Sequence, residues 1–151
     1  DARYNALALP EAPQVDSSIA YIAARSPISD PYARFMHAQK RNREAMMQNT
    51  RNWFKPWVSV FEANPQQILD RGEHVALPPL LIMQGGLDDN VLPAMQEKFV
   101  HAYRAAGGQA QYELFNDCEH EWVSKPGPQT DRAVDMAKAF IATQLARAAV
   151  A

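Results

Sequence analysis

An aspartate and a histidine lie about thirty residues apart, each just after an apolar run that predicts a β-strand. Asp88 follows LLIMQGG, and His120 follows YELFNDC. A carboxylate that orients an imidazole, and an imidazole that moves a proton, are two of the three groups that activate a nucleophile in covalent catalysis. The third is missing, because no Gly-x-Ser-x-Gly pattern occurs in the 151 residues. Since the chain opens at Asp1 without an initiator methionine, we interpret it as the rear half of an enzyme.

Three apolar segments predict the strands that position these groups. Residues 19–24 form a short run typical of a strand buried on both faces, and residues 80–83 form the unbroken run of a central strand. Residues 109–115 alternate apolar and polar side chains, which predicts a strand near a sheet edge. Helical segments separate the three strands, so a parallel α/β sheet is expected. Ligands bind beyond the carboxyl ends of such strands, where Asp88 and His120 are placed.

Helix boundaries are marked by capping residues. Asp30-Pro31 and Asn64-Pro65 each combine a capping side chain with proline at the first helical position, and Gly72 can close the second helix. The last helix is predicted to be mostly amphipathic, and the repeating face carries Val134, Ala137, Lys138, Ile141 and Leu145. The predicted helices cover residues 32–47, 65–71, 93–106 and 131–148.

Composition and charge exclude several classes of protein. The chain is 47% apolar and 21% charged, which is ordinary for a soluble globular domain. A net charge of −2 gives no electrostatic reason to expect nucleic acid or an anionic membrane as a partner. No apolar run approaches the roughly 20 residues of a membrane-spanning helix. The single cysteine, Cys118, excludes an internal disulfide and leaves the compartment open.

The span from about Val15 to Leu145 resembles the C-terminal half of an α/β-hydrolase of the esterase and lipase type, similar to a carboxylesterase. QGGLDDNVLPAMQEKFVHAYRAAGG resembles the family's acid loop, and FNDCEHEW resembles its histidine loop. The resemblance implies that Asp88 is the acid of a catalytic triad and His120 its base. It also implies that the nucleophilic serine and the oxyanion-hole N–H groups lie upstream of Asp1.

The same resemblance implies a division of the chain. Residues 1–30 would contain the opening segment and the first strand of the core, residues 31–75 a helical cap insertion, and residues 76–151 the C-terminal core with both loops. The fold class is then α/β, the C-terminal part of an α/β-hydrolase parallel sheet with flanking helices. The first strand needs an outer neighbour, so we expect the N-terminal half of the same enzyme beside it.

The resemblance and the composition together indicate a substrate. The insertion is rich in aromatic side chains, and an apolar pocket above the strand ends would suit the acyl or alcohol group of a small hydrophobic ester. No cofactor and no metal is implied, and this segment alone is expected to be inactive. Most aromatic residues of the insertion could equally pack it onto the sheet. The predicted substrate-binding residues are Phe35, Trp53, Phe54 and Trp57.

The candidate residues also have other interpretations. Asp88 alone could be a turn carboxylate, and Asp89 is a second candidate for the acid. A Cys118 nucleophile would lack the strained turn that activates such a group. A metal site has suitable ligand types but no recognised spacing. That site would use Asp88, Asp89, Glu119, His120 and Glu121, whereas Ser17, Ser18, His37, His74 and His101 are predicted to be structural or loop residues.

Two further expectations concern activity. The acidic neighbours Asp117, Glu119 and Glu121 are expected to raise the pKa of His120. Other functions also remain open on this scaffold, because a fold does not choose the reaction. They are a non-catalytic binding protein without the nucleophile, a peptidase, a haloperoxidase and a lactone hydrolase.

Overall fold

The computed structural model describes residues 18–149, without the side chain of Ala148. The predictions for the polar opening stretch and for Ser17 lie outside the described residues. Within them, strands and helices alternate as the sequence predicted. In chain order the elements are β1 (Ile22–Arg25), α1 (Pro31–Lys40), α2 (Glu44–Trp53), α3 (Ser59–Glu62), α4 (Pro65–Asp70), β2 (Leu80–Gly85), α5 (Pro93–Ala105), β3 (Ala110–Phe115), a short 3₁₀ helix (Trp122–Ser124) and α6 (Pro128–Ala148).

The sheet is parallel, with strand order β1-β2-β3. Leu80 of β2 pairs with Ile22 on one side and with Ala110 on the other. The predicted central and edge strands are therefore confirmed. The first strand is shorter than predicted, because it begins at Ile22 and Ile19 is 65% exposed. Its predicted burial on both faces is wrong for the described residues: Ala23 is exposed, and the other three residues of β1 are only partly buried.

The core lies on both faces of β2, whose six residues are all buried. Successive side chains of a strand point to opposite faces, so one β2 sequence serves two apolar clusters. Leu80 and Ile82 face α5, whereas Leu81 and Met83 face α6. The α5 cluster adds Phe99, Val100 and Tyr103, and the α6 cluster adds Phe115, Cys118, Trp122, Ala133 and Phe140.

The predicted helix starts in residues 31–75, the predicted cap insertion, are correct. Asp30 accepts a hydrogen bond from the backbone N–H of Ala33 at 2.9 Å, and Asn64 caps α4 in the same way. The single helix predicted for residues 32–47 is wrong. It is split into α1 and α2, with Asn42 between them in a left-handed conformation at φ +51°. Asparagine tolerates this conformation better than most residues, so the turn interrupts an otherwise helical pattern.

The last helix is confirmed, although it begins at Pro128 rather than at Asp131. Its predicted apolar face is correct only in part: Ala137 and Ile141 pack against the α6 cluster. Val134 is 45% exposed and Leu145 is 57% exposed, whereas Ala133 and Phe140 are buried against the sheet. The buried stripe is centred on residues 133, 137 and 140, so it shares Ala137 with the predicted face, and packing against Tyr21 and the α6 cluster selects it. No helix within residues 18–149 has the length and apolar character needed to cross a membrane.

Candidate active site

The Asp88 side chain is buried at the carboxyl end of the central strand. It belongs to the acid loop, defined here as residues 86–92, between β2 and α5. Its Oδ1 atom accepts hydrogen bonds from the backbone N–H groups of Asn90 and Val91, both at 2.9 Å. Aspartate commonly forms this turn with its own backbone, so the local sequence fixes one carboxylate oxygen and leaves Oδ2 for other partners.

Gln84, the penultimate residue of β2, connects the end of this strand to the acid loop. It is fully buried, and its Nε2 donates to Asp88 Oδ2 at 3.1 Å and to the Val91 carbonyl at 3.0 Å. Sequence reasoning missed this residue. Its signal was a polar amide at the end of an apolar strand, a position where a buried side chain needs hydrogen-bond partners.

His120 meets Asp88 at the strand ends. Its Nδ1 atom lies 2.8 Å from Asp88 Oδ2, and its side chain is 23% exposed whereas that of Asp88 is 0% exposed. His120 belongs to the histidine loop, defined here as residues 116–121, after β3. The structure thus brings the two predicted catalytic residues into direct contact across 32 residues of sequence.

The charge of Asp88 decides which ring nitrogen carries the proton. Burial by itself raises the pKa of Asp88, but hydrogen bonds from His120, Val91 and Asn90 outweigh it, so the pKa lies below its ordinary value. The group is therefore a carboxylate near neutral pH and can only accept hydrogen bonds. Nδ1 of neutral His120 must then be the N–H, which leaves Nε2 free to act as a base.

Two glycines let the histidine loop approach the acid loop. A Cβ atom on Gly85 would lie 2.5 Å from the Cys118 carbonyl oxygen, and one on Gly86 would lie 2.5 Å from that of Asn116. The Leu87 N–H donates to Cys118 O at 2.9 Å across the same contact. The glycine pair is thus explained by close backbone packing as well as by the turn.

Arg25 fixes the histidine loop from the other outer strand. Its guanidinium donates to the carbonyl of His120, at a sequence separation of 95 residues. Sequence reasoning did not find Arg25, because no local pattern connects the end of β1 with the histidine loop.

Asp89, the alternative acid, and Cys118, the alternative nucleophile, lie in environments unlike that of Asp88. Among the described residues, Asp89 forms its hydrogen bonds and its ion pair with insertion residues and none with His120. Its carboxylate accepts from Arg43, and this hydrogen bond lowers the pKa of Asp89. Cys118 is buried, and burial together with Asp117 raises the pKa of its thiol, which disfavours the reactive thiolate.

Of the two glutamates that flank His120, Glu121 lies near the ring and Glu119 lies near a lysine. Glu121 Oε1 lies 3.9 Å from His120 Nε2, whereas Glu119 lies 3.8 Å from the ammonium of Lys125. Within residues 18–149, no group of three or more histidine, cysteine, aspartate or glutamate side chains is arranged to hold a metal ion.

Three of the predicted substrate-binding residues lie together in the insertion. Phe35, Phe54 and Trp57 line a groove of about 460 Å³. Phe35 is 7% exposed, and its ring packs against Trp57 with a centroid distance of 4.8 Å. Phe35 therefore contributes to the insertion's own core as well as to the groove wall.

Trp53 lies apart from that group. It is 85% exposed at the end of α2, and it lines a second concavity of about 420 Å³ together with Phe54 and Arg34. Phe54 is thus shared between two apolar surfaces. The substrate-binding role of all four aromatic residues stays a prediction.

Comparison with known proteins gives the class. Residues 11–148 match the description "Prolyl oligopeptidase family". This match spans most of the sequence, so the chain belongs to the prolyl oligopeptidase family, within the α/β-hydrolase superfamily. No curated protein matches the chain.

A solved structure has the same fold. The chain is similar to the crystal structure of esterase B from Lactobacillus rhamnosis (HN001), with a TM-score of 0.61 and 14% sequence identity. The similarity covers 85% of this chain and 42% of the esterase chain. The predicted α/β-hydrolase architecture is confirmed, and the chain spans less than half the length of that protein.

Proposed function

We propose that this chain supplies the acid and the base of a serine hydrolase, and that a serine outside these 151 residues completes the site. The observation that carries the proposal is the 2.8 Å contact between His120 Nδ1 and the buried Asp88 carboxylate. Asp88 keeps the ring in the tautomer that leaves Nε2 unprotonated, and Nε2 is the atom that must face the nucleophile.

The proposed reaction is acyl transfer to water. The serine hydroxyl attacks the carbonyl carbon of the substrate while His120 Nε2 takes its proton. The imidazolium then gives this proton to the leaving alcohol, and an acyl-serine remains. Water repeats the sequence: His120 takes its proton, the acid is released, and the serine regains its hydrogen. Asp88 stabilises the imidazolium at both stages without being protonated itself.

The proposed substrate is a small hydrophobic carboxylic ester. Its support is the aromatic groove formed by Phe35, Phe54 and Trp57, which would accommodate an apolar acyl or alcohol group. A peptide is the second candidate, favoured by membership of the prolyl oligopeptidase family. With a peptide, the leaving group that His120 protonates would be an amine. Turnover of matched ester, amide and lactone substrates by the full-length protein separates these classes.

Replacement of His120 by alanine tests the assignment of the base. In the full-length protein, kcat should fall on the order of 10⁴- to 10⁶-fold, because one group accepts and returns every transferred proton. His101→Ala is the matched control, since His101 is an exposed histidine on α5 without a contact to the acid or histidine loop among the described residues. A His120→Ala protein with near wild-type ester turnover would exclude the proposed mechanism.

The position of the nucleophile is tested by covalent labelling. A fluorophosphonate should modify one serine of the full-length protein, in a peptide outside residues 1–151. The isolated 151-residue chain should remain unlabelled and should not hydrolyse a short-chain aryl ester. Labelling of a serine within the chain would contradict the proposal.

A further inference from the structure

The helical insertion contacts the acid loop directly. Arg43, in the turn before α2, donates from NH1 to the Asp89 carbonyl at 2.8 Å and from NH2 to the Asp89 carboxylate. His37 on α1 donates from Nε2 to the same carbonyl at 2.9 Å. Arg34, also on α1, donates from Nε to Asn90 Oδ1 at 2.8 Å. These residues come from 46 to 56 positions earlier in the chain.

The contacts fall on the two residues that follow Asp88. The N–H of Asn90 is one of the two backbone donors that fix Asp88 Oδ1. A displacement of residues 89 and 90 would turn this donor away and would allow the carboxylate to rotate. Rotation would move the Asp88 Oδ2 atom away from the Nδ1 atom of His120 and break their contact. A continuous chain of hydrogen bonds thus connects the insertion with the histidine ring.

The Arg43–Asp89 pair is exposed. The two side chains are 31% and 61% exposed, and such ion pairs contribute little to global stability because water screens their attraction. Its effect is therefore expected on the conformation of the acid loop rather than on the folding of the core. Arg34 is in a less exposed environment than the Arg43–Asp89 pair. Burial lowers the pKa of its guanidinium, while the nearby Asp88 carboxylate opposes that shift.

We infer that Arg43 is a positioning residue, which holds the acid loop in the conformation that lets Asp88 orient His120. This inference rests on the proposed function. It assigns the insertion a second role beside substrate contact, since α1 carries Phe35 at the groove and Arg34 at the acid loop. A misplacement of about 1 Å near a reacting group costs on the order of 10²-fold in rate.

Arg43→Ala in the full-length protein should lower kcat by roughly 10²-fold and leave KM within about twofold, because the loop geometry changes but the groove does not. Arg43→Lys should restore only part of kcat, since lysine keeps the charge but cannot make two fixed N–H contacts. Asp89→Ala should lower kcat less than Arg43→Ala does, because its backbone carbonyl still accepts from Arg43. The Arg43→Ala/Asp89→Ala protein should resemble Arg43→Ala, because loss of Arg43 already removes both contacts.

Arg71→Ala is the matched control. Arg71 also joins a carbonyl and a carboxylate, with 3.0 Å to Phe61 O and 2.6 Å to Glu73. Both arginine variants should unfold at similar temperatures. Proton NMR gives a second readout: the downfield Nδ1–H signal of His120 should weaken in Arg43→Ala and persist in Arg71→Ala.

Two results would overturn the inference. If kcat and the Nδ1–H signal of Arg43→Ala equal those of Arg71→Ala while His120→Ala is inactive, the positioning role fails and the proposed function stands. If His120→Ala retains full turnover, the proposed function and the positioning role fail together.

Discussion

Replacement of Asp88 by asparagine removes the charge of the buried carboxylate but keeps its shape. The asparagine oxygen can still accept from the N–H groups of Asn90 and Val91, as Oδ1 does now. Its NH₂ group then faces His120 Nδ1 and Gln84 Nε2, which both donate to Oδ2 in the wild type. The opposite orientation would leave the buried N–H of Val91 and the partly buried N–H of Asn90 unpaired. An unpaired buried donor costs about 1–3 kcal/mol, so this orientation is disfavoured.

The favoured orientation reverses the tautomer of His120. Nδ1 must accept from the new NH₂ group, so the ring proton moves to Nε2, the atom that should remove the serine proton. In a serine protease, the same change lowers kcat by about 10⁴, which corresponds to about 5.4 kcal/mol. We expect a similar loss in kcat for an aryl ester with the full-length Asp88→Asn protein.

The control for this variant is Asp135→Asn. Asp135 is an exposed carboxylate on α6 that pairs only with Lys138 among the described residues, at 3.6 Å. It should keep wild-type kcat. Near-ultraviolet circular dichroism verifies that both variants are folded. If Asp88→Asn stays within about tenfold of wild type, the tautomer argument is refuted, because four orders of magnitude are expected from it.

A stability measurement gives the same variant an independent readout. The pKa of Asp88 lies below its ordinary value of 3.8, so its charged form stabilises the folded protein above that pH. This contribution is lost as the pH falls through the folded-state pKa. The unfolding free energies of wild type and Asp88→Asn in urea should therefore differ more at about pH 6 than at about pH 3.

Two other predictions concern the glycine contacts between loops and the burial of two tyrosine rings. Gly85→Ala would place a Cβ atom 2.5 Å from a carbonyl oxygen of the histidine loop, so kcat and stability should both fall, the latter by about 1–3 kcal/mol. Gly72→Ala, at φ +66° and with open space around it, should cost about 1 kcal/mol and leave kcat unchanged. Burial raises the pKa of Tyr103 and of Tyr112 to about 12, so both rings should remain neutral up to that pH in an absorbance titration. The stability from their neutral forms is lost as the pH rises from 10 to 12, and ionisation near pH 10 in the folded protein would contradict their burial.

The sequence by itself determined the strands, most helix boundaries and the two residues at the strand ends. These features depend on local chemistry: an unbroken apolar run at residues 80–83, capping side chains at Asp30 and Asn64, and a glycine pair before Asp88. The parallel order of strands then places their carboxyl ends at one edge. The contact between Asp88 and His120 follows from that order.

Only the tertiary structure decided which residues support the pair. Arg25 reaches the histidine loop from 95 residues away, and Arg43 reaches the acid loop from 46 residues away. The buried face of α6 was likewise selected by packing, because two helical stripes of its sequence have a similar period. Charged and amide side chains can bond to many partners, so their own sequence neighbourhood carries no information on which one the fold brings within reach.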